Sequence, residues 1–144
     1  MAVIQSFRDL EAWRAAMDLS VGVYSVSMRL PTEERFGLMS QMRRAAVSVP
    51  SNVAEGHSHG KDGRYIEHVR VALGSLGELS TELELALRLK FLASADLQDV
   101  DRQVVRTRQL LYGLLRSLRK RRRLEQTAPS GLRTQRAPTN RGTD

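Results

Sequence analysis

The stretch Asp62–Lys90, DGRYIEHVRVALGSLGELSTELELALRLK, decides the fold. Ile66, Val69, Leu73, Leu76, Leu83 and Leu87 fall in register at steps of three, four or seven. That spacing lays apolar side chains along one stripe of a helix with 3.6 residues per turn. An adjacent row, Tyr65, Ala72, Leu79 and Ala86, widens the stripe. A face this wide suits a helix that touches more than one neighbour, and Asp62 is the expected N-cap.

The flanking sequence repeats the pattern. Downstream, a helix beginning around Ser94–Leu97 carries Leu97, Val100, Val104, Leu111, Leu114 and Leu118, with Leu110 and Leu115 beside the seam. It runs into Arg119-Lys120-Arg121-Arg122-Arg123, cations that oppose the partial negative charge of a helix C-terminus. Upstream, Leu38, Met42, Ala45, Val49 and Val53 form another stripe, expected to end at Gly56. Pro50 inside it removes a backbone donor and crowds the carbonyl of Ala46, which predicts a kink or break near Val47–Val49. The first segment places Leu10, Trp13, Met17, Tyr24 and Met28 on one seam, with Ser20 completing the series and Leu30-Pro31 ending it. Gly22, Gly74, Gly77 and Gly113 sit within these helices, each costing about 1 kcal/mol relative to alanine, which predicts close helix approach there. The links at Pro31–Phe36, His57–Lys61 and Leu92–Asp96 are short. The expectation is an all-α, antiparallel up-down-up-down four-helix bundle over residues 1–123, followed by a disordered basic tail at 124–144.

Charge is distributed unevenly. Up to Leu115 the chain holds 14 basic and 14 acidic residues; from Arg116 onward nine basic residues face only Glu125 and Asp144, so the net +7 belongs to the C-terminal part. Arg116, Arg119, Lys120, Arg121, Arg122 and Arg123, extended by Arg133, Arg136 and Arg141, are the candidate nucleic-acid-binding residues. Guanidinium groups match phosphate oxygens, and several together bind a polyanion through counterion release. Aromatic residues amount to 5%, too few for a base-stacking platform. No uncharged apolar run approaches the roughly 18 residues of a membrane span, and no cationic start leads into an apolar run, so a cytoplasmic protein without membrane partner is expected.

With 0 cysteines, thiolate metal sites and nucleophilic cysteine chemistry are excluded. Gly60-Lys61-Asp62 lacks the spacing and hydroxyl of a phosphate loop, and Gly74-Ser75-Leu76-Gly77 lacks the glycine placement of a nucleophile elbow. His57-Ser58-His59 with His68 falls short of zinc-ligand spacing, so neither metal nor cofactor is expected. A polar stripe of Gln41, Arg44, Ser48, Asn52 and Glu55, beside Arg43, faces Ser75, Glu78 and Glu82 if the second and third helices pack together. Pairing of Arg44 with Glu78 or Glu82, and of Asn52 with Ser75, would make a polar network or subunit contact that fixes register. Without a nucleophile or positioned base beside these carboxylates, no enzyme is expected.

Phe7-Arg8-Asp9-Leu10 with Trp13, Leu30-Pro31, Glu33-Glu34-Arg35-Phe36-Gly37-Leu38, the run Gln41-Met42-Arg43-Arg44-Ala45-Ala46-Val47-Ser48-Val49-Pro50-Ser51-Asn52-Val53-Ala54-Glu55-Gly56, and Ala72-Leu73-Gly74-Ser75-Leu76-Gly77-Glu78-Leu79 carry a resemblance. Over roughly residues 7–120 the chain resembles the bacterial ribosomal RNA intervening-sequence proteins. The resemblance implies a four-helix protomer assembling into a homopentamer. It also implies kinship with the accessory variability proteins of diversity-generating retroelements, basic rings that partner a reverse transcriptase and RNA or DNA. A self-assembling scaffold with no nucleic-acid ligand is the alternative.

Overall fold

A computed structural model describes residues 3–129. A short 3-10 turn at Phe7–Asp9 leads into α1 (Glu11–Ser27); a second at Thr32–Glu34 precedes α2 (Leu38–His59); α3 (Asp62–Arg88) and α4 (Ser94–Thr127) complete the chain. The described residues contain no strand. Side chains set several boundaries. The Asp9 carboxylate accepts the Gln5 and Ser6 N–H groups at 2.9 and 3.0 Å, bonds that hold its pKa below the ordinary value. Glu34 accepts the Leu38 N–H at 2.9 Å, and Asp96 accepts that of Ala93 at 2.9 Å, satisfying donors that a helix start leaves free.

α1 packs on α2 and α4, and α3 packs on the same two helices, around one core centred on Leu19, Met42, Val49, Val53, Leu76, Leu79 and Leu111. Both apolar rows expected for the third helix contribute: Tyr65, Ala72, Leu79 and Ala86 are buried with Ile66, Val69, Leu76 and Leu83, while Leu73 and Leu87 are partly covered.

The buried stripe of α1 differs from the expected seam. Ala12, Ala16, Leu19, Val23 and Val26 face the core, whereas Met17, Tyr24 and Met28 are exposed. Alanines and branched apolar residues fill the buried row, and Met17, Tyr24 and Met28 are turned outward. Nor does α2 break at Pro50, since one helix spans Leu38–His59. The physical reason lies in α1. Ser20 Oγ stands 3.0 Å from Ala46 O, the carbonyl that Pro50 deprives of its helical donor, and 2.9 Å from Ala16 O. The single hydroxyl hydrogen, shared with Ala16 O, gives the Ala46 carbonyl a donor in place of the missing amide.

The end of α2 also shifts. Gly60, at φ 67°, closes the helix in place of Gly56. Gly56 instead permits close packing, since a Cβ there would lie 2.9 Å from both His68 Cβ and Tyr65 Cδ1. Of the glycines expected to mark close approach, Gly22 does so, with Gln103 Oε1 2.6 Å from its would-be Cβ, but Gly74 and Gly77 have nothing within 4 Å and Gly113 meets only Arg116 at 3.8 Å. At the start of α3, Lys61 occupies the N-cap position and Asp62 is the first helical residue. α4 continues four residues past the expected boundary at Arg123, so 124–127 are helical; the remainder of the anticipated tail from 130 onward, including Arg133, Arg136 and Arg141, lies outside the described residues.

Replacing Ser20 by alanine leaves the buried Ala46 carbonyl without a partner. The expected cost is about 1–3 kcal/mol, read as a lowered midpoint in denaturant, while Ser25→Ala, an exposed position on the same helix, leaves the midpoint unchanged.

Candidate functional site

The basic run sits on rigid helix, and the helical period divides its members. Arg121 turns toward α3, where its Nε donates to Asp62 Oδ2 at 3.2 Å and its terminal nitrogen pairs with Oδ1. Asp62 is 8% exposed and occupies the first turn of α3, where a carboxylate also meets the positive end of the helix dipole. The bond to Asp62 holds the Arg121 pKa above its ordinary value. Arg121 therefore docks α4 onto α3. Beneath it, burial pushes the Tyr65 phenol up to about 12, and its hydroxyl has no protein partner.

The other cations remain available. Arg119, Arg122 and Arg123 line a cleft of about 320 Å³ with Arg70, Glu67 and Gln126. Arg122 borders a second cleft with Lys61 and Arg64, its guanidinium lying 3.8 Å from the position a Cβ on Gly63 would take. Arg119, Arg122 and Arg123 make no ion pair among the described residues. Arg116 and Lys120 are exposed but line neither cleft. The sequence missed the contribution of Lys61, Arg64 and Arg70, because the three cations are scattered in sequence and adjoin the run only when α3 packs on α4.

The polar stripe forms, with different partners. Gln41, Arg44, Ser48, Ser75, Glu78 and Glu82 line one cavity of about 520 Å³ between α2 and α3. Ser48 and Ser75 hydroxyls meet at 2.8 Å, and Asn52 donates to Ser48 O at 2.8 Å in place of bonding Ser75. Arg44 is exposed and makes no ion pair with Glu78 or Glu82. Arg43 leaves the group altogether: its Nε donates to Ser27 Oγ at 2.9 Å and its guanidinium lies 4.6 Å from the Tyr24 ring centre, binding α2 to α1. Burial, with Glu78 nearby, raises the Glu82 pKa from 4.5 to about 7, and its Oε2 has no hydrogen-bond partner. Asn52 Oδ1 and Glu55 Oε2 stand 3.1 and 3.9 Å from His68 Nδ1, extending the row toward the end of α2.

A cavity of about 990 Å³ opens on the outer surface of α1 and α2, lined by Tyr24, Met28, Phe36, Met39, Arg43 and Val47 among others. Met28 is 72% and Phe36 90% exposed. Exposed apolar groups clustered in this way mark an interaction surface. Sequence periodicity had assigned Tyr24 and Met28 to the core.

Residues 8–113 match the family model of the 23S rRNA-intervening sequence protein. The chain belongs to that family. Its fold is similar to the crystal structure of a protein of unknown function from the S23 ribosomal protein family of Bacteroides thetaiotaomicron, with a TM-score of 0.67 at 18% identity, covering 72% of this chain and 97% of that one. No curated protein matches at a significant level. The family match spans the polar stripe but stops before Arg116, so the basic end of α4 lies beyond it. Among the described residues no helix is long and apolar enough to cross a membrane.

Two measurements check these assignments. Arg121→Ala strands a buried carboxylate, and a loss of about 2 kcal/mol or more is expected in equilibrium unfolding, whereas Lys120→Ala has no comparable effect. Glu82 binds its proton more tightly folded than unfolded, so its contribution is present below pH 4.5 and lost as pH rises toward 7. Glu82→Gln is expected to stabilise the protein at pH 8, on the order of 1 kcal/mol after solvent screening, and to change little at pH 4.

Proposed function

We propose that this chain is a non-enzymatic, self-assembling bundle that binds the phosphate backbone of nucleic acid through the corner where α3 begins and α4 ends. The observation that carries this reading is the convergence of Arg119, Arg122 and Arg123 on one cleft, beside Arg70, which also pairs with Glu67 at 3.6 Å, with Lys61 and Arg64 alongside. Arg121, tied to Asp62, holds the two helices together beneath them. Guanidinium groups on rigid helix bind phosphate with less loss of freedom than the same groups on a loose tail. Such contacts read charge and shape, and base sequence enters little.

An up-down-up-down course is supported by the contacts between helices. Ser20 meets Ala46 and Arg43 meets Ser27; Ser48 meets Ser75 and Asn52 meets His68; Arg121 meets Asp62 and Arg108 meets Ser80. In each pair of helices the residue numbers run in opposite directions. The surface around Tyr24, Met28 and Phe36 supports self-assembly, and the family resemblance favours a homopentamer. Five basic corners on one ring would sum their charge and bind a polyanion by avidity. The resemblance to the accessory variability proteins favours a reverse transcriptase, with its RNA or DNA, as a partner. The second reading, a scaffold with no nucleic-acid ligand, draws on the same apolar surface alone.

Filter binding to single-stranded RNA and duplex DNA over a series of salt concentrations separates the two. The expected result is salt-dependent binding that Arg119→Gln/Arg122→Gln/Arg123→Gln weakens at least tenfold, lowering the slope of log K against log salt by about 2 to 3. Absence of binding, or affinity and slope unchanged in the triple variant, leaves the scaffold.

A further inference from the structure

Where α2 ends against the start of α3, one acidic and two imidazole side chains converge. Glu55 and His59 stand one helical turn apart on α2, and His68 projects from α3. Each offers a ligand atom, and the three atoms lie within 4.8 Å of one another. The two imidazole rings are stacked at 14° with centres 5.5 Å apart. His57-Ser58-His59 is helical, and this is what the spacing in the sequence concealed. A loop would leave His59 without a fixed direction, whereas helix sets it on the same face as Glu55.

Two features hold His68 in place. Gly56 admits its Cβ to within 2.9 Å of the point where a side chain would begin. Asn52 then fixes the ring. Its Nδ2 donates to Ser48 O at 2.8 Å, and its Oδ1 lies 3.1 Å from His68 Nδ1. We propose that Glu55, His59 and His68 form a binding site for a divalent first-row transition ion such as zinc. Two imidazole nitrogens and one carboxylate oxygen are the donor set such ions favour over calcium or magnesium. Bond lengths near 2.0–2.1 Å require the donors to be about 3.3 Å apart in a tetrahedral site. Glu55 and His59 are exposed and His68 half-buried, so rotation of the side chains closes that gap without moving a helix. Three protein ligands leave one position for water or for a donor from a partner.

The bound ion would clamp α2 to α3 close to the left-handed Gly60 and to Asp62. Its binding energy would add to folding stability through ordinary linkage. Calorimetric titration of the full chain, free of any affinity tag, with zinc chloride at pH 7.5 tests this. One ion per chain with micromolar affinity is expected, together with a rise in melting temperature on saturation. His59→Ala and His68→Ala should each weaken binding at least tenfold, and Glu55→Gln should weaken it severalfold. His59 is exposed, so its variant folds, and circular dichroism verifies the helix content. Lack of zinc binding by the unaltered chain overturns the proposal, as does unchanged affinity in His59→Ala. Calcium or magnesium binding with equal affinity would also contradict it.

Discussion

At Gly56 the backbone of α2 passes so near α3 that a single methyl group would collide with Tyr65 and His68. That approach organises the structure around it. In the same register Ser48 meets Ser75 and Asn52 meets His68, and only Gly60 and Lys61 separate the two helices. α3 therefore begins with Asp62 buried, and Asp62 in turn receives Arg121 from the far end of α4. A glycine within one helix thus bears on the placement of arginines at the end of another.

The polar groups divide between satisfied and exposed roles. Ser20 completes the carbonyl that Pro50 orphans, Arg43 ties α2 to α1, and Arg121 ties α4 to α3. Each removes a hydrogen-bonding deficit that an apolar interior could not tolerate. The buried Tyr65 hydroxyl and Glu82 Oε2 stay unpaired, and among the charged groups without an ion pair are Arg44 beside Glu78 and Glu82, and Arg119, Arg122 and Arg123 above the docked arginine. Their Coulomb energy is not absorbed within the protomer and is free for a partner. The neutral body of the chain keeps this potential local.

Helix existence and the apolar rows of the second, third and fourth helices were legible because each obeys one period over many turns. The α1 stripe was misread for a definite reason. The reading followed the bulkier Met17, Tyr24 and Met28 and passed over Ala12, Ala16 and Val23, which are the residues buried in the core. Pro50 was expected to disturb α2 because its remedy, Ser20, comes from a different helix far upstream. The division of the basic run was equally hidden: only the packing of α4 on α3 shows that Arg121 is structural and that Arg70 joins its neighbours. The meeting of Glu55, His59 and His68 depended on how far α2 extends.

The family match covers the polar stripe but ends at 113. The last turns of α4 lie past that match, and the proposed function requires the corner they form with the start of α3 to hold phosphate. Hydrogen exchange measured by mass spectrometry, with and without a saturating single-stranded RNA or duplex DNA, locates the bound region directly. Phosphate binding at this corner predicts slowed exchange concentrated in residues 61–70 and 116–127. Slowed exchange confined to the surface of α1 and α2 around Tyr24 and Phe36, or no change at the α3–α4 corner, would contradict it.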